Sequence, residues 1–216
     1  MFRQTTRDFC VNQQFRKDYW VKGCRTLTAL EQAEALRGQR ILLAQPRADV
    51  GLKVTGSLGE ATLQEAVYGP ILDQLADHKP KTLGQLEQAL KATPSTQSLS
   101  FAQILQAAMV LSATGAVQAV QDDAVVQKAK KRTDRLNVYL MTKARSSNEL
   151  SYLASPVTGG GVTVPRFQQL FLLAKQQGHK HPQDWANFVW NILVLQNQRL
   201  VKDGKTLETV EENLAE

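Results

Sequence analysis

Residues 82–115, TLGQLEQALKATPSTQSLSFAQILQAAMVLSATG, carry the pattern that decides the fold. Thr82-Leu-Gly-Gln85 and Ser100-Phe-Ala-Gln103 both have the form of a capping box. In that motif the hydroxyl accepts from the backbone N–H three residues on, and the amide side chain there reaches back to the cap's own N–H. Leu83, Leu86 and Leu90 then fall on one helical face, and Pro94 closes the segment. Phe101, Ile104, Leu105, Ala108 and Leu111 make a second apolar stripe, with Gly115 placed as its stop. Upstream, Ile71, Leu72 and Leu75 predict a preceding helix that begins at Gly69 or Pro70, since proline suits a first helical turn. Downstream, AVQAVQDDAVVQ (116–127) reads as two short strands turning at Asp122-Asp123. Three helices and a hairpin, in that order, predict a winged-helix unit over 65–125.

The flanks are less regular. Residues 4–15 read as a short helix, and KDYWVKGCRTL (17–27) alternates as a strand with Tyr19 and Val21 opposite Trp20. LTALEQAEALR (27–37) predicts a few helical turns ending at Gly38, RILLAQP (40–46) a strand, and 51–64 a hairpin. Beyond the basic segment 128–145, residues 151–165 read as extended with a break at Gly159-Gly160-Gly161. Helices follow over 165–178 and 181–200, then a hairpin at Asp203-Gly204 and an acidic last helix. The fold class is therefore α+β and mostly helical. It divides into 1–64, the unit 65–125, and 126–216, the last a helical unit with a terminal hairpin and a second, degenerate winged-helix-like candidate.

Composition bounds the function. The 216 residues are 43% hydrophobic and 21% charged, those of a globular chain with a real core. No apolar run has the length of a membrane span, the N-terminus has no apolar leader region, and two cysteines are too few for a disulfide framework. A reducing, bacterial-type cytoplasm is the expectation. The net charge is +6, and residues 128–145 alone carry seven basic side chains against Asp134, so the excess is local. Lys128, Lys130, Lys131, Arg132 and Arg135 are the candidate partner-binding residues, too dense for one narrow helical face.

Catalytic and cofactor motifs are not recognisable. His179-Lys-His181 has only Asp184 as a nearby third ligand, short of an ordered metal site. Gly56-Ser-Leu-Gly59 and Gly159-Gly160-Gly161 lack the phosphate-loop and dinucleotide patterns. No acidic, glycine-rich strand-to-helix turn is present to hold S-adenosylmethionine. Nor does the third helix read as a DNA reader. It has no lysine or arginine, and the proposed wing carries two aspartates.

RDFCVNQQFRKDYWVKG (7–23) resembles the stretch D-F-x-x-N-x-x-F-R of the methyltransferase regulatory domain, which lies behind class I S-adenosylmethionine-dependent catalytic domains. Asp8, Phe9, Asn12, Phe15 and Arg16 carry the match. ILDQLADHKPKTLGQLEQAL, FAQILQAAMVLSATGAV and YLASPVTGGGV, with Leu153, Ala154, Ser155, Pro156 and Val157, are similar to the rear of the same proteins, which include bacterial protein-lysine methyltransferases. Nothing matches the catalytic domain that members carry upstream, so the chain looks like a separated or truncated rear portion. The resemblance implies a non-catalytic role: binding a protein substrate or a class I catalytic domain, in the same or a separate chain, with S-adenosylmethionine held only by that partner. The alternative is a winged-helix nucleic-acid binder using 128–145. Residues 153–157 are read as a structural extended stretch, with Pro156 kept out of a central strand.

Overall fold

The computed structural model describes residues 2–13, 15–56 and 59–215. The protein is α+β and half helical, and its chain divides into two compact units, 1–120 and 121–216. The division expected at 64/65 falls inside the first unit, and that at 125/126 falls in the first turn of a helix.

The first unit opens with α1 (Phe2–Cys10) and α2 (Ala29–Arg37). It continues with β1 (Arg40–Leu43), the hairpin β2 (Lys53–Gly56) and β3 (Gly59–Thr62), and α3 (Glu65–Leu75). Then come β4 (Lys81–Thr82), α4 (Leu83–Lys91), α5 (Phe101–Ala113) and β5 (Val117–Ala119). Both capping boxes form as the sequence predicts: Thr82 Oγ1 accepts from the Gln85 amide at 3.0 Å, and the Thr82 amide donates to Gln85 Oε1 at 2.8 Å. Ser100 and Gln103 repeat the exchange at the start of α5. Thr28 and Glu31 make a third box, opening α2. Ile104, Ala107, Ala108 and Leu111 of α5 are buried, whereas Phe101 and Leu105 are half-buried at the edge of the same core.

Three expectations need correction. α3 begins at Glu65, and Pro70 lies inside it. The lost proline N–H costs one helical bond, yet the Val67 and Tyr68 amides already close the first turn on the Gln64 carbonyl, and Ile71, Leu72 and Leu75 are fully buried. No strand forms over 17–27; its alternating side chains find no ladder partner and stand exposed. No hairpin follows α5 either: β5 is a single strand, and Asp123 already opens the next helix. A pair of carboxylates suits a helix N-terminus, where the amides are free and the dipole is positive. Nor is the wing's place in the sheet vacant. β1 fills it, lying between β4 and β5 in an antiparallel sheet of order β4-β1-β5, with Ile41 opposite Lys81 and Ala119 and Leu43 opposite Val117. The three-helix unit thus takes its central strand from upstream of α3, and Ile41 and Leu43 enter the core with Leu86, Leu90, Ile104 and Leu111.

The second unit runs α6 (Asp123–Lys143), β6 (Tyr152–Ser155), β7 (Gly160–Thr163), α7 (Arg166–Gln176), α8 (Pro182–Leu195), β8 (Val201–Lys202), β9 (Lys205–Thr206) and α9 (Val210–Ala215). Its strands form two separate hairpins. The second turns through Asp203 and Gly204, both at positive φ, the geometry of a tight hairpin turn. Side chains bind these pieces together. The Gln169 amide donates to the Leu150 and Val164 carbonyls at 2.6 and 2.8 Å, holding the open end of the β6–β7 hairpin. The Arg166 guanidinium donates to the Ala144 and Arg145 carbonyls after α6 and to Gln196 and Gln198 after α8. A cation at two helix C-termini meets the negative end of both dipoles.

Candidate functional site

The residues of the D-F-x-x-N-x-x-F-R stretch separate into two groups. Asn12 takes a left-handed backbone (φ 52), a conformation asparagine tolerates better than most residues. The turn it makes stops α1 and brings the chain back, so that Arg16 meets the Asp8 carboxylate at 2.5 Å and Asp18 at 3.0 Å. Those two carboxylates hold the Arg16 guanidinium above its ordinary value, the Asp18 hydrogen bond first and that of Asp8 second. Asp8, Asn12 and Arg16 therefore close a local lock. Phe9 and Phe15 take no part in it and are each 84% exposed. Tyr19, Trp20 and Phe2 are exposed as well, and α1 buries no residue. The lock presents aromatic rings on a stretch that is also basic.

The cationic segment lies on α6, of which only Met141 is buried. At about 100° per residue, Val126, Ala129, Thr133, Asn137 and Leu140 make its inward side. The five candidate residues do not act as one set. Lys130 is paired with Asp134 at 2.9 Å, off to one side, and Lys131 lies on the flank. Lys128, Arg132 and Arg135 fall on a common stripe with the exposed Val125, Leu136 and Tyr139. Among the described residues none of these three cations has an ion-pair partner. Lys143, at the end of the stripe, stands over the Tyr139 ring at 5.6 Å.

Residues 153–157 run from β6 into the turn that follows it. Leu153 is buried, and the Ala154 backbone is matched in both directions by Asn137 of α6. Its N–H donates to Asn137 Oδ1 and its carbonyl accepts from Asn137 Nδ2, each at 2.8 Å. The asparagine amide thereby stands in for a neighbouring strand. Ser155 Oγ accepts from the Thr158 amide at 3.2 Å, Pro156 sits in the turn, and the Val157 carbonyl accepts from the Gln121 amide. Gly159, at φ 73, belongs to that strand-to-strand turn. The Ser57 and Leu58 positions of the other glycine pair lie outside the described residues.

Other polar groups are likewise used locally. The His179 ring packs on Phe188 at 5.7 Å, the His179 carbonyl accepts from Trp185 Nε1, and Asp184 accepts from the His181 amide. Among the described residues there is no group of three or more His, Cys, Asp or Glu side chains that could hold a metal ion. Both cysteines are exposed free thiols. The second unit has an apolar cavity of about 320 Å³ lined by Phe167, Phe171, Trp190, Leu193 and Leu214. Asn213 also lines it, but its amide group is consumed by the Leu200 N–H and the Leu207 and Thr209 carbonyls. Such a cavity suits an apolar side chain better than a charged metabolite, which needs polar groups to fix it. No described helix is long and apolar enough to cross a membrane.

No family model matches the chain, and no solved structure matches it. It is similar to an uncharacterized protein of Synechocystis sp. strain PCC 6803, 38% identical over 213 residues. The similarity covers 99% of this chain, and so both units, but the chain spans only 40% of the length of that relative.

Proposed function

We propose that this chain is a non-catalytic accessory module of a class I S-adenosylmethionine-dependent methyltransferase, working in the cytoplasm by binding protein. The observation that carries the reading is the Asp8–Asn12–Arg16 lock, which uses the charged and turn-forming residues of the family-like stretch locally and leaves Phe9 and Phe15 uncovered. Two rings held outward on a basic arm are a docking device. Aromatic side chains contribute large buried areas to an interface, and few residues carry most of its energy. More than half of the Synechocystis relative lies outside the region of similarity, which leaves room for a catalytic domain. Binding remote from the reacting centre orients a substrate without chemistry of its own, and a lysine-bearing protein is the substrate the resemblance suggests.

The nucleic-acid alternative has less support. α5 presents no cation, and the strand that would have formed a wing is the first turn of α6. The test is titration calorimetry of this chain with the class I catalytic domain encoded with it, fused or adjacent. Saturable binding that Phe9→Ser/Phe15→Ser weakens at least tenfold is the expected result. No binding by the unaltered chain overturns the reading, as does direct saturable binding of S-adenosylmethionine at micromolar concentration.

A further inference from the structure

α6 carries a second surface, remote in sequence from the aromatic arm. Its exposed stripe runs from Val125 to Lys143, roughly 27 Å at the rise of an α-helix. Along it, Val125 is followed by three cations, Lys128, Arg132 and Arg135, and these by Leu136, Tyr139 and Lys143. Lys128, Arg132 and Arg135 have no ion-pair partner among the described residues, while Val125, Leu136 and Tyr139 are 47%, 47% and 58% exposed. The one acidic side chain in the middle of the helix, Asp134, is engaged by Lys130 away from this stripe. The arrangement is not that of a helix merely solvated by charge, because such a helix has no reason to align three large apolar side chains with its unpaired cations.

We infer that this face docks an acidic amphipathic helix of a protein partner, one with apolar residues every third or fourth position flanked by glutamate or aspartate. The inference rests on the reading of the chain as a protein-binding module and names the chemistry of one of its partners. Charge complementarity sets the sign: carboxylates opposite Lys128, Arg132 and Arg135 steer the encounter and fix register. The apolar residues set the class. Val125 and Leu136 gain from another apolar side chain, whereas a phosphate backbone offers them none. Asp122 and Asp123 at the start of α6 add negative charge beside Val125, which disfavours a polyanion wrapped along the helix but leaves a directional acidic helix free to end before it. An amphipathic partner helix meets such a face with its own apolar anchors, three or four residues apart.

Fluorescence anisotropy with synthetic peptides tests this directly. The probe is a labelled peptide of roughly 18 residues, about five helical turns, with leucines on one face and glutamates beside them. Its control has the same composition with the leucines scattered around the helix. At physiological salt, where exposed charges are screened beyond about 8 Å, the face-forming peptide is expected to bind at least tenfold more tightly than the control or a random DNA duplex. Arg132→Glu/Arg135→Glu and, separately, Leu136→Ser/Tyr139→Ser should each weaken it at least tenfold, and Lys130→Gln, off the stripe, should leave it unchanged. Circular dichroism confirms that each variant is folded. Equal binding of the two peptides, tighter binding of DNA, no binding at all, or wild-type affinity in either double variant overturns the inference. Those outcomes are separable from the methyltransferase reading, whose test turns on Phe9 and Phe15.

Discussion

α5 and α6 follow one another in sequence and spend their side chains in opposite ways. α5, 13 residues long, contains no charged residue and buries Ile104, Ala107, Ala108 and Leu111. α6, 21 residues long, is laced with cations and buries one methionine. The first is held by its contents, the second by hydrogen bonds: Asn137, on its inward side, to the Ala154 backbone, and Arg166 to the carbonyls at its end. A helix anchored by amide and guanidinium groups can leave its remaining surface free, and that surface is the one a partner meets.

The largest test of this contrast is Leu111→Ala, which empties a side chain only 1% exposed. It should cost about 2–5 kcal/mol, read from faster amide exchange throughout β1 and β5. Leu136→Ala on α6 should stay within about 0.5 kcal/mol. If the two substitutions cost the same, the division of labour between the helices fails. Next is Asn137→Ala. It leaves the Ala154 N–H and carbonyl unsatisfied and should cost about 1–3 kcal/mol, followed by the fluorescence of Trp185 and Trp190 in the same unit during urea unfolding. An unchanged midpoint would mean that packing, not hydrogen bonding, holds α6.

The two N-termini sharpen the comparison further. Ser100 caps α5 through its hydroxyl, whereas the Asp122 side chain makes no cap hydrogen bond. Ser100→Ala should therefore cost about 1 kcal/mol, and Asp122→Ala about half that or less, from the dipole alone. Both are measurable as shifts of thermal midpoint.

Much of α5 was legible because its signals are local. A capping box, an apolar stripe and a glycine stop need nothing beyond their own 15 or so residues. α6 was legible as a run of cations, and its first turn was misread. Val125-Val126 after two aspartates suits a strand as well as a helix, and what decides between them is that β1, more than 80 residues upstream, already holds the place a return strand would take. Strand alternation at 17–27 misled for the same reason, since the pattern contains no information about whether a ladder partner exists. The basic cluster was visible as composition. Its division into a paired Lys130, a flanking Lys131 and a stripe of three needed the phase of a helix starting at Asp123. In the arm, the Asp8–Arg16 pair waits on a single left-handed residue, Asn12, which nothing in the spacing announces.

The smallest expected effect joins α5 to its neighbours through charge. Glu87, buried on α4, accepts from Arg37 at 2.8 Å and Lys91 at 2.7 Å, and Arg37 lies over the Phe101 ring of α5 at 4.5 Å. The Arg37 hydrogen bond first, then that of Lys91, hold the Glu87 carboxyl below the usual glutamate range against the opposing effect of burial. A depressed folded-state pKa stabilises above the unfolded value and ceases to do so as pH falls through the folded one. The stability gap between the protein and Glu87→Gln should thus be constant near neutrality and close in acid. Both cations are partly solvated, so the gap is modest. A gap that instead widens in acid would contradict the pairing.

The position of β1 in the sheet also governs how the first unit comes into being. A ribosome delivers β1 well before either of its neighbours: β4 arrives after α3, and β5 only after α4 and α5. Until then both edges of an apolar RILL strand stand open, the condition under which nascent chains pair with the wrong partner. The second unit, whose hairpins close between adjacent strands, has no such delay. Non-local pairing is slow, so residues 1–120 should be the later half to acquire their native structure although they are the first to be made.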